Sequence, residues 1–338
     1  TASATESAAR IAGVRRRTSV AAYKRVRASA RSMGCMTERS STPTLTADAH
    51  AVAHRFAELD GMRIFYREAG PRDAPVLLLP HGYPCSSFQY RRLMPMLADR
   101  WRLVAPDYPG FGLSDTPPAE AFGFDFDAYA GFLEAFCRKL GLDRYALYLH
   151  DYGSQIGLRL AIRHPERVAA VIIQNGDIYE DTLGPKYGAI QAFWRDPSPA
   201  NRAVLEEAVS EEGFRAEFVG EVSEAQAGQI PPDLWKLHWP LMDTPPRREL
   251  ARKLMEGLKE NLEWFPRYQA FLREHQPPAL IVWGPNDGYM PEASARAYLR
   301  DLPKAELVLT DGGHWLLETH LAQVVPVIRR FLSAAHSH

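Results

Sequence analysis

The chain has 338 residues, 46% of them hydrophobic, with 40 Lys+Arg against 41 Asp+Glu and 3 Cys. A formal net charge of -1 gives no general attraction for nucleic acid or an anionic membrane. No run of about 18 apolar residues offers a bilayer span, and Cys35, Cys85 and Cys137 form no disulfide framework, which fits a reducing, cytoplasmic setting.

Charge is uneven along the chain. Within residues 1–40 nine Arg and Lys face only Glu6 and Glu38, leaving the remainder near -8. Such a start reads as a disordered tail, as sequence upstream of a start at Met33 or Met36, or as a transit peptide. No apolar stretch follows Arg15–Arg17, which argues against an export signal. Residues 1–50 are therefore set apart from the fold.

Residues 52–59 and 62–68, parted by Asp60-Gly61, read as a β-hairpin. The apolar run Pro75–Pro80 ends at His81-Gly82, as a buried parallel strand should. Helical spacing across Ser86–Leu97 puts Leu93, Met96 and Leu97 on one face. A strand at Leu103–Ala105 leads into the glycine-rich loop Asp107–Asp115. A helix over Phe126–Leu140 is expected to stop at Gly141. Then come strand Tyr145–His150, helix Gly153–His164 and strand Val168–Ile173. From Tyr179 to Glu274 no apolar strand appears, only helical segments rich in Trp, Pro and Glu. The alternation resumes with strand Leu280–Trp283, helix Glu292–Leu302, strand Leu307–Leu309 and helix Leu321–Leu332.

This β-α rhythm predicts an α/β protein with a mostly parallel, doubly wound sheet. Residues 51–177 and 275–338 make its core. Residues 178–274 make an inserted helical lid, over the strand ends where open sheets bind ligands.

Reactive side chains recur just after the predicted strands. His150-Asp151-Tyr152-Gly153 lies at a strand–turn–helix junction, the setting of a nucleophile elbow. An Asp there is already ionised near neutral pH and needs no base to attack. The competing reading is that Asp151 only caps the following helix. His314, in Asp311-Gly312-Gly313-His314-Trp315, follows the last strand and is the histidine best placed to act as a base. Asp287, in Gly284-Pro285-Asn286-Asp287, leaves the strand before it, where an Asp is commonly an Asx-turn residue. Together they give nucleophile, orienting acid and base in the order of an α/β-hydrolase triad, with Asp in place of Ser. His81-Gly82-Tyr83-Pro84 offers the Tyr83 amide as one oxyanion donor, and the Tyr152 amide offers a second.

The set HGYP (81–84), PDYPGFGLSD (106–115), HDYGS (150–154), GPND (284–287) and GGHW (312–315) resembles the α/β-hydrolase superfamily. Within it the match is to the epoxide hydrolase and haloalkane dehalogenase branch, which uses an Asp nucleophile. The resemblance covers residues 52–335. It implies an α/β-hydrolase fold, with Asp151 as nucleophile, His314 as water-activating base and Asp287 as its orienter. It makes Asp107 and Asp115 structural, and ranks Asp177 behind Asp287 as the acid. The two lid tyrosines of epoxide hydrolases align near Ile190 and Leu258, which lack a hydroxyl. The Trp that haloalkane dehalogenases place after the nucleophile is Tyr152 here.

The leading expectation is a hydrolase working through an alkyl ester on Asp151, most simply opening epoxides to diols. Tyr152, helped by Tyr83, is the expected hydrogen-bond donor to the opening oxygen. Hydrolysis of a carbon–halogen bond is the runner-up, and a non-catalytic ligand-binding homologue is the reading from another class. Expected substrate contacts are His81, Tyr152, Trp194, Tyr268 and Trp315, although aromatic residues along the lid helices equally suit plain packing. No clustered His/Cys spacing suggests a metal, and no cofactor is expected. The expected partners are a small apolar organic substrate and water, with no nucleic acid and no membrane; a homodimer is left open.

Overall fold

A computed structural model describes residues 51–336. The tail expected over residues 1–50 lies outside the described residues, and so does Cys35.

Eight strands form one sheet in the order β1-β2-β4-β3-β5-β6-β7-β8. The hairpin β1 (Ala53–Leu59) and β2 (Met62–Ala69) turns at Asp60 (φ 50°) and Gly61 (φ 78°), both left-handed as a two-residue turn requires. β2 pairs antiparallel with β4 (Arg102–Pro106). From β4 onward β3 (Val76–Leu78), β5 (Tyr145–His150), β6 (Val168–Gln174), β7 (Ala279–Trp283) and β8 (Glu306–Leu309) are all parallel.

Each central strand is apolar on both faces, because both are covered. In β5, Tyr145, Leu147 and Leu149 join the cluster holding the helices Phe126–Leu140 and Tyr152–Arg163. Ala146 and Tyr148 point the other way, to the cluster that includes Val324, Val325 and Ile328 of the helix Leu321–Ala335. Period-two alternation divides β7 in the same way, with Ile281 on the first face and Leu280 on the second. The Phe126–Leu140 helix starts where Asp125 accepts from the Ala128 amide at 2.8 Å and ends at Gly141 with φ 64°.

Eight α-helices and no strand occupy the chain between β6 and β7. Two expected helices are shorter than their periodicity suggests. Ser86–Leu97 splits into a 3₁₀ turn, Ser87–Tyr90, and a short helix, Met94–Leu97, around Pro95, which has no amide hydrogen to donate. Met96 is consequently exposed while Leu93 and Leu97 are buried. Glu292–Leu302 is α-helical only to Ala297 and continues as the 3₁₀ turn Tyr298–Arg300. No helix among the described residues is long and apolar enough to cross a membrane.

Candidate active site

Loops leaving the carboxyl ends of β3, β5, β6, β7 and β8 converge on one place. Asp151 joins β5 to its helix with φ 50° and ψ -132°, a conformation that strains any residue with a Cβ. Its side chain makes no capping bond, so the helix-cap reading is set aside. The carboxylate instead meets donors from other loops. Oδ1 accepts from the Tyr83 amide at 2.6 Å, and the Tyr152 amide also donates to the group. Gly82 makes this approach possible, since a Cβ there would lie 2.5 Å from the Asp151 Cβ.

His314 presents Nε2 to Asp151 Oδ2 at 3.6 Å, close but beyond a hydrogen bond. Its other nitrogen, Nδ1, lies 2.6 Å from Asp287 Oδ2. Asp287 is both an Asx-turn residue and an orienter. Its Oδ1 accepts from the Tyr289 and Met290 amides at 2.8 and 3.0 Å, which aims Oδ2 at the imidazole. Asn175, at the end of β6 with φ 40°, donates to the same Oδ2 at 2.8 Å. The His150 ring packs against His314 at 4.5 Å, and Gln174 donates to the His314 carbonyl at 3.0 Å.

The charges of this group are coupled. Burial disfavours the imidazolium, but Asp287 and Asp151 outweigh it and push the His314 pKa up to about 10. Burial raises the Asp151 pKa, opposed by His314 and by the Tyr152 and Tyr83 amides. Asp177 stands apart from the imidazole. It accepts from the Tyr187 hydroxyl at 2.6 Å and the Gln155 amide at 2.9 Å, and burial pushes its pKa up to about 7. Asp107 and Asp115 hold loops: Asp107 accepts from the Ser87 and Leu113 amides, and Asp115 from the Arg63 amide.

Asp151 faces a cavity of about 90 Å³ whose wall includes Tyr152, Tyr289, Ile190, Leu258, Lys186 and Glu217. Ile190 and Leu258 are thus cavity residues without a hydroxyl. The Tyr83 hydroxyl is committed to another wall residue, donating to the Ala208 carbonyl at 3.3 Å. The hydroxyls of Tyr152 and Tyr289 hydrogen-bond to no described residue.

Of the five expected substrate contacts, Tyr152 lines this cavity and four do not. Tyr268 is fully buried, accepting from Arg159 Nε at 2.8 Å and donating to Asn261 at 2.9 Å. Trp315 packs on Phe218 at 4.5 Å and donates its indole N–H to the Glu217 carbonyl. His81 lies against Tyr108 at 4.1 Å, with Nε2 accepting from the Tyr108 amide and burial lowering its pKa to about 3. Trp194 is half-buried beside Tyr187.

Sequence reasoning missed Asn175, Tyr289, Lys186 and Glu217. Asn175-Gly176 directly after a strand was a legible turn signal. Glu217 sits one turn after Gly213 on the helix Glu211–Val219, and both face the cavity. Among the described residues no group of three or more His, Cys, Asp or Glu is placed to hold a metal ion.

Residues 75–321 match the family model of the alpha/beta hydrolase fold, and the chain belongs to that family. An uncharacterized hydrolase of Saccharomyces cerevisiae is 32% identical over 81% of this chain and 95% of its own length. Haloalkane dehalogenase 2 of Mycobacterium tuberculosis is 31% identical over 80% of this chain and 91% of its own. The solved epoxide hydrolase CorEH superposes with a TM-score of 0.67 at 20% identity, covering 84% of this chain and 99% of that one. A loop variant of the haloalkane dehalogenase DbeA from Bradyrhizobium elkanii gives 0.70 at 22% identity, covering 85% and 98%. The chain is an enzyme of the hydrolase branch in which epoxide hydrolases and haloalkane dehalogenases are found.

Proposed function

We propose that the protein hydrolyses a small organic electrophile in two steps through an alkyl ester on Asp151, and that the electrophile is an epoxide. The observation that carries this is the Asp151 carboxylate itself, held on a strained turn against two amide donors and 3.6 Å from the Asp287-bound imidazole. In the first step Asp151 attacks an sp³ carbon and the carbon–oxygen bond breaks. In the second, His314 takes a proton from water, which adds to the ester carbonyl. The Tyr83 and Tyr152 amides hold the resulting oxyanion, and collapse releases the diol.

Proton affinities suit this order. Both Asp151 and Asp287 favour the imidazolium. Esterification neutralises Asp151 and removes one of those charges, so His314 gives up its proton more readily when a base is needed. Residues 178–274 act as the lid that closes the cavity.

The cavity wall favours an epoxide over a halide. It offers two phenols without a hydrogen bond to any described residue, Tyr152 and Tyr289, and no Trp or Asn N–H. The Trp194 indole N–H, buried and without a hydrogen bond, is not part of that wall.

Intact-protein mass spectrometry of His314→Gln tests the division of labour. Challenged with epoxides and with haloalkanes, this variant should gain the mass of the alkyl group and stall there, and Asp151→Ala should gain none. Normal turnover by His314→Gln would remove His314 as the base. An adduct formed with haloalkanes and never with epoxides would replace the substrate reading.

A further inference from the structure

Opening an epoxide leaves an alkoxide, and a carboxyl on the cavity wall that still holds its proton near neutral pH is a stronger acid toward it than a phenol. The phenols are poor sources. Burial, with Asp151 and Tyr83 adding to it, raises the Tyr152 pKa well above its usual value. The Tyr289 pKa is also raised, first by Glu217 and then by burial. Both hydroxyls can donate hydrogen bonds without releasing the proton.

Glu217 is different in kind. It projects from the helix Glu211–Val219 of the 178–274 segment into the cavity that Asp151 faces. Its carboxyl makes no hydrogen bond or ion pair with any described residue. The cation on the same wall, Lys186, is committed elsewhere: its Nζ lies 3.1 Å from Glu221 and 4.7 Å from the Tyr289 ring centre. An unpaired carboxyl sharing a small cavity with a second carboxylate binds a proton. Burial comes first, then Lys186 and His314 opposing, with Asp151 and Glu221 adding to it; the net effect pushes the Glu217 pKa up to about 7.

We infer that Glu217 is the catalytic acid that protonates the leaving oxygen when Asp151 opens the substrate, a role that rests on the epoxide reading above. The Asp151 oxygen forms a bond to carbon, the carbon–oxygen bond breaks, and its electron pair takes the proton from Glu217. The proton that His314 releases after esterification restores Glu217. In the second step water gives one proton to His314, which passes it to the departing product oxygen. The other stays on the regenerated Asp151 carboxyl and returns to His314. No proton is lost or gained over the cycle.

Transient kinetics of Glu217→Gln, with alkyl-enzyme formation and decay followed separately by rapid quench and mass spectrometry, tests the role. In the native chain, ester formation from an epoxide should fall as pH rises through about 7, the range of Glu217, while decay should rise with pH as His314 becomes neutral. The groups that face Glu217 and bear on that profile are Lys186, Glu221, Tyr289, Tyr83, Tyr152, Asp151 and His314. Glu217→Gln should slow ester formation by about 10²-fold and abolish its limb near pH 7, without slowing decay. Glu217→Asp should keep the limb at a reduced rate, which a merely structural role would not produce. Ester formation within twofold of the native rate, or equal loss in both steps, would overturn the assignment while leaving the Asp151 ester intact. No ester from any epoxide in the native chain or in His314→Gln would overturn the epoxide reading and this role with it.

Discussion

Tyr152 brings two groups to one cavity, an amide on the Asp151 carboxylate and a hydroxyl with no hydrogen-bond partner among the described residues. The sequence pointed to that hydroxyl because it follows the expected nucleophile, Asp151. What sequence could not convey is its environment: the phenol lies between Tyr83 at 5.7 Å and Phe126 at 5.2 Å, where ionisation is disfavoured. On the proposed function it therefore acts as a hydrogen-bond donor and not as a proton source. Tyr152→Phe keeps the ring and the amide, and should slow epoxide opening at least tenfold while leaving ester decay unchanged, as single-turnover kinetics would show. An unchanged opening rate would move that hydrogen bond to Tyr289. Asp287 teaches a related lesson. Asx turn and orienting acid were rival readings of one residue, and its geometry accommodates both: Oδ1 takes the turn amides while Oδ2 lies against the imidazole.

At the scale of elements, the loop after β3 does the positioning. Tyr83 reaches Asp151 only because residue 82 has no side chain. Gly82→Ala would force the two loops apart and pull the Tyr83 amide off the carboxylate. Loss of one oxyanion donor costs about 10²–10³-fold, so ester decay should slow by that order, with a folded chain confirmed by circular dichroism. Decay at the native rate would mean that this amide does not hold the oxyanion. The loop was legible because an apolar run ending in His-Gly can hardly be anything but a buried strand and its exit. Helix Phe126–Leu140 was equally legible, since Asp125 and Gly141 mark its ends chemically. Ser86–Leu97 was not, because apolar spacing counts side chains and takes no account of the amide hydrogen that Pro95 lacks.

At the scale of the whole molecule, the sheet and the convergence of its strand-end loops followed from alternation and turn chemistry. The helical segment did not yield its cavity so readily. Helices rich in aromatics present the same pattern whether a ring fills the core, as Tyr268 does, or lines a cavity, as Tyr152 does. Glu217 was hidden for the same reason: in a segment with many solvated carboxylates, nothing local marks the one turned inward. On the proposed mechanism, the carboxylate, the imidazole and the two amides surround one substrate carbon so that water enters only in the second step. Oxygen tracing reads this out. With enzyme in excess over an epoxide in ¹⁸O-water, limited to one turnover, the label should enter the Asp151 carboxyl and the first diol released should carry none. Label in that first diol with Asp151 unlabelled would mean that water attacks the substrate directly and that no ester forms.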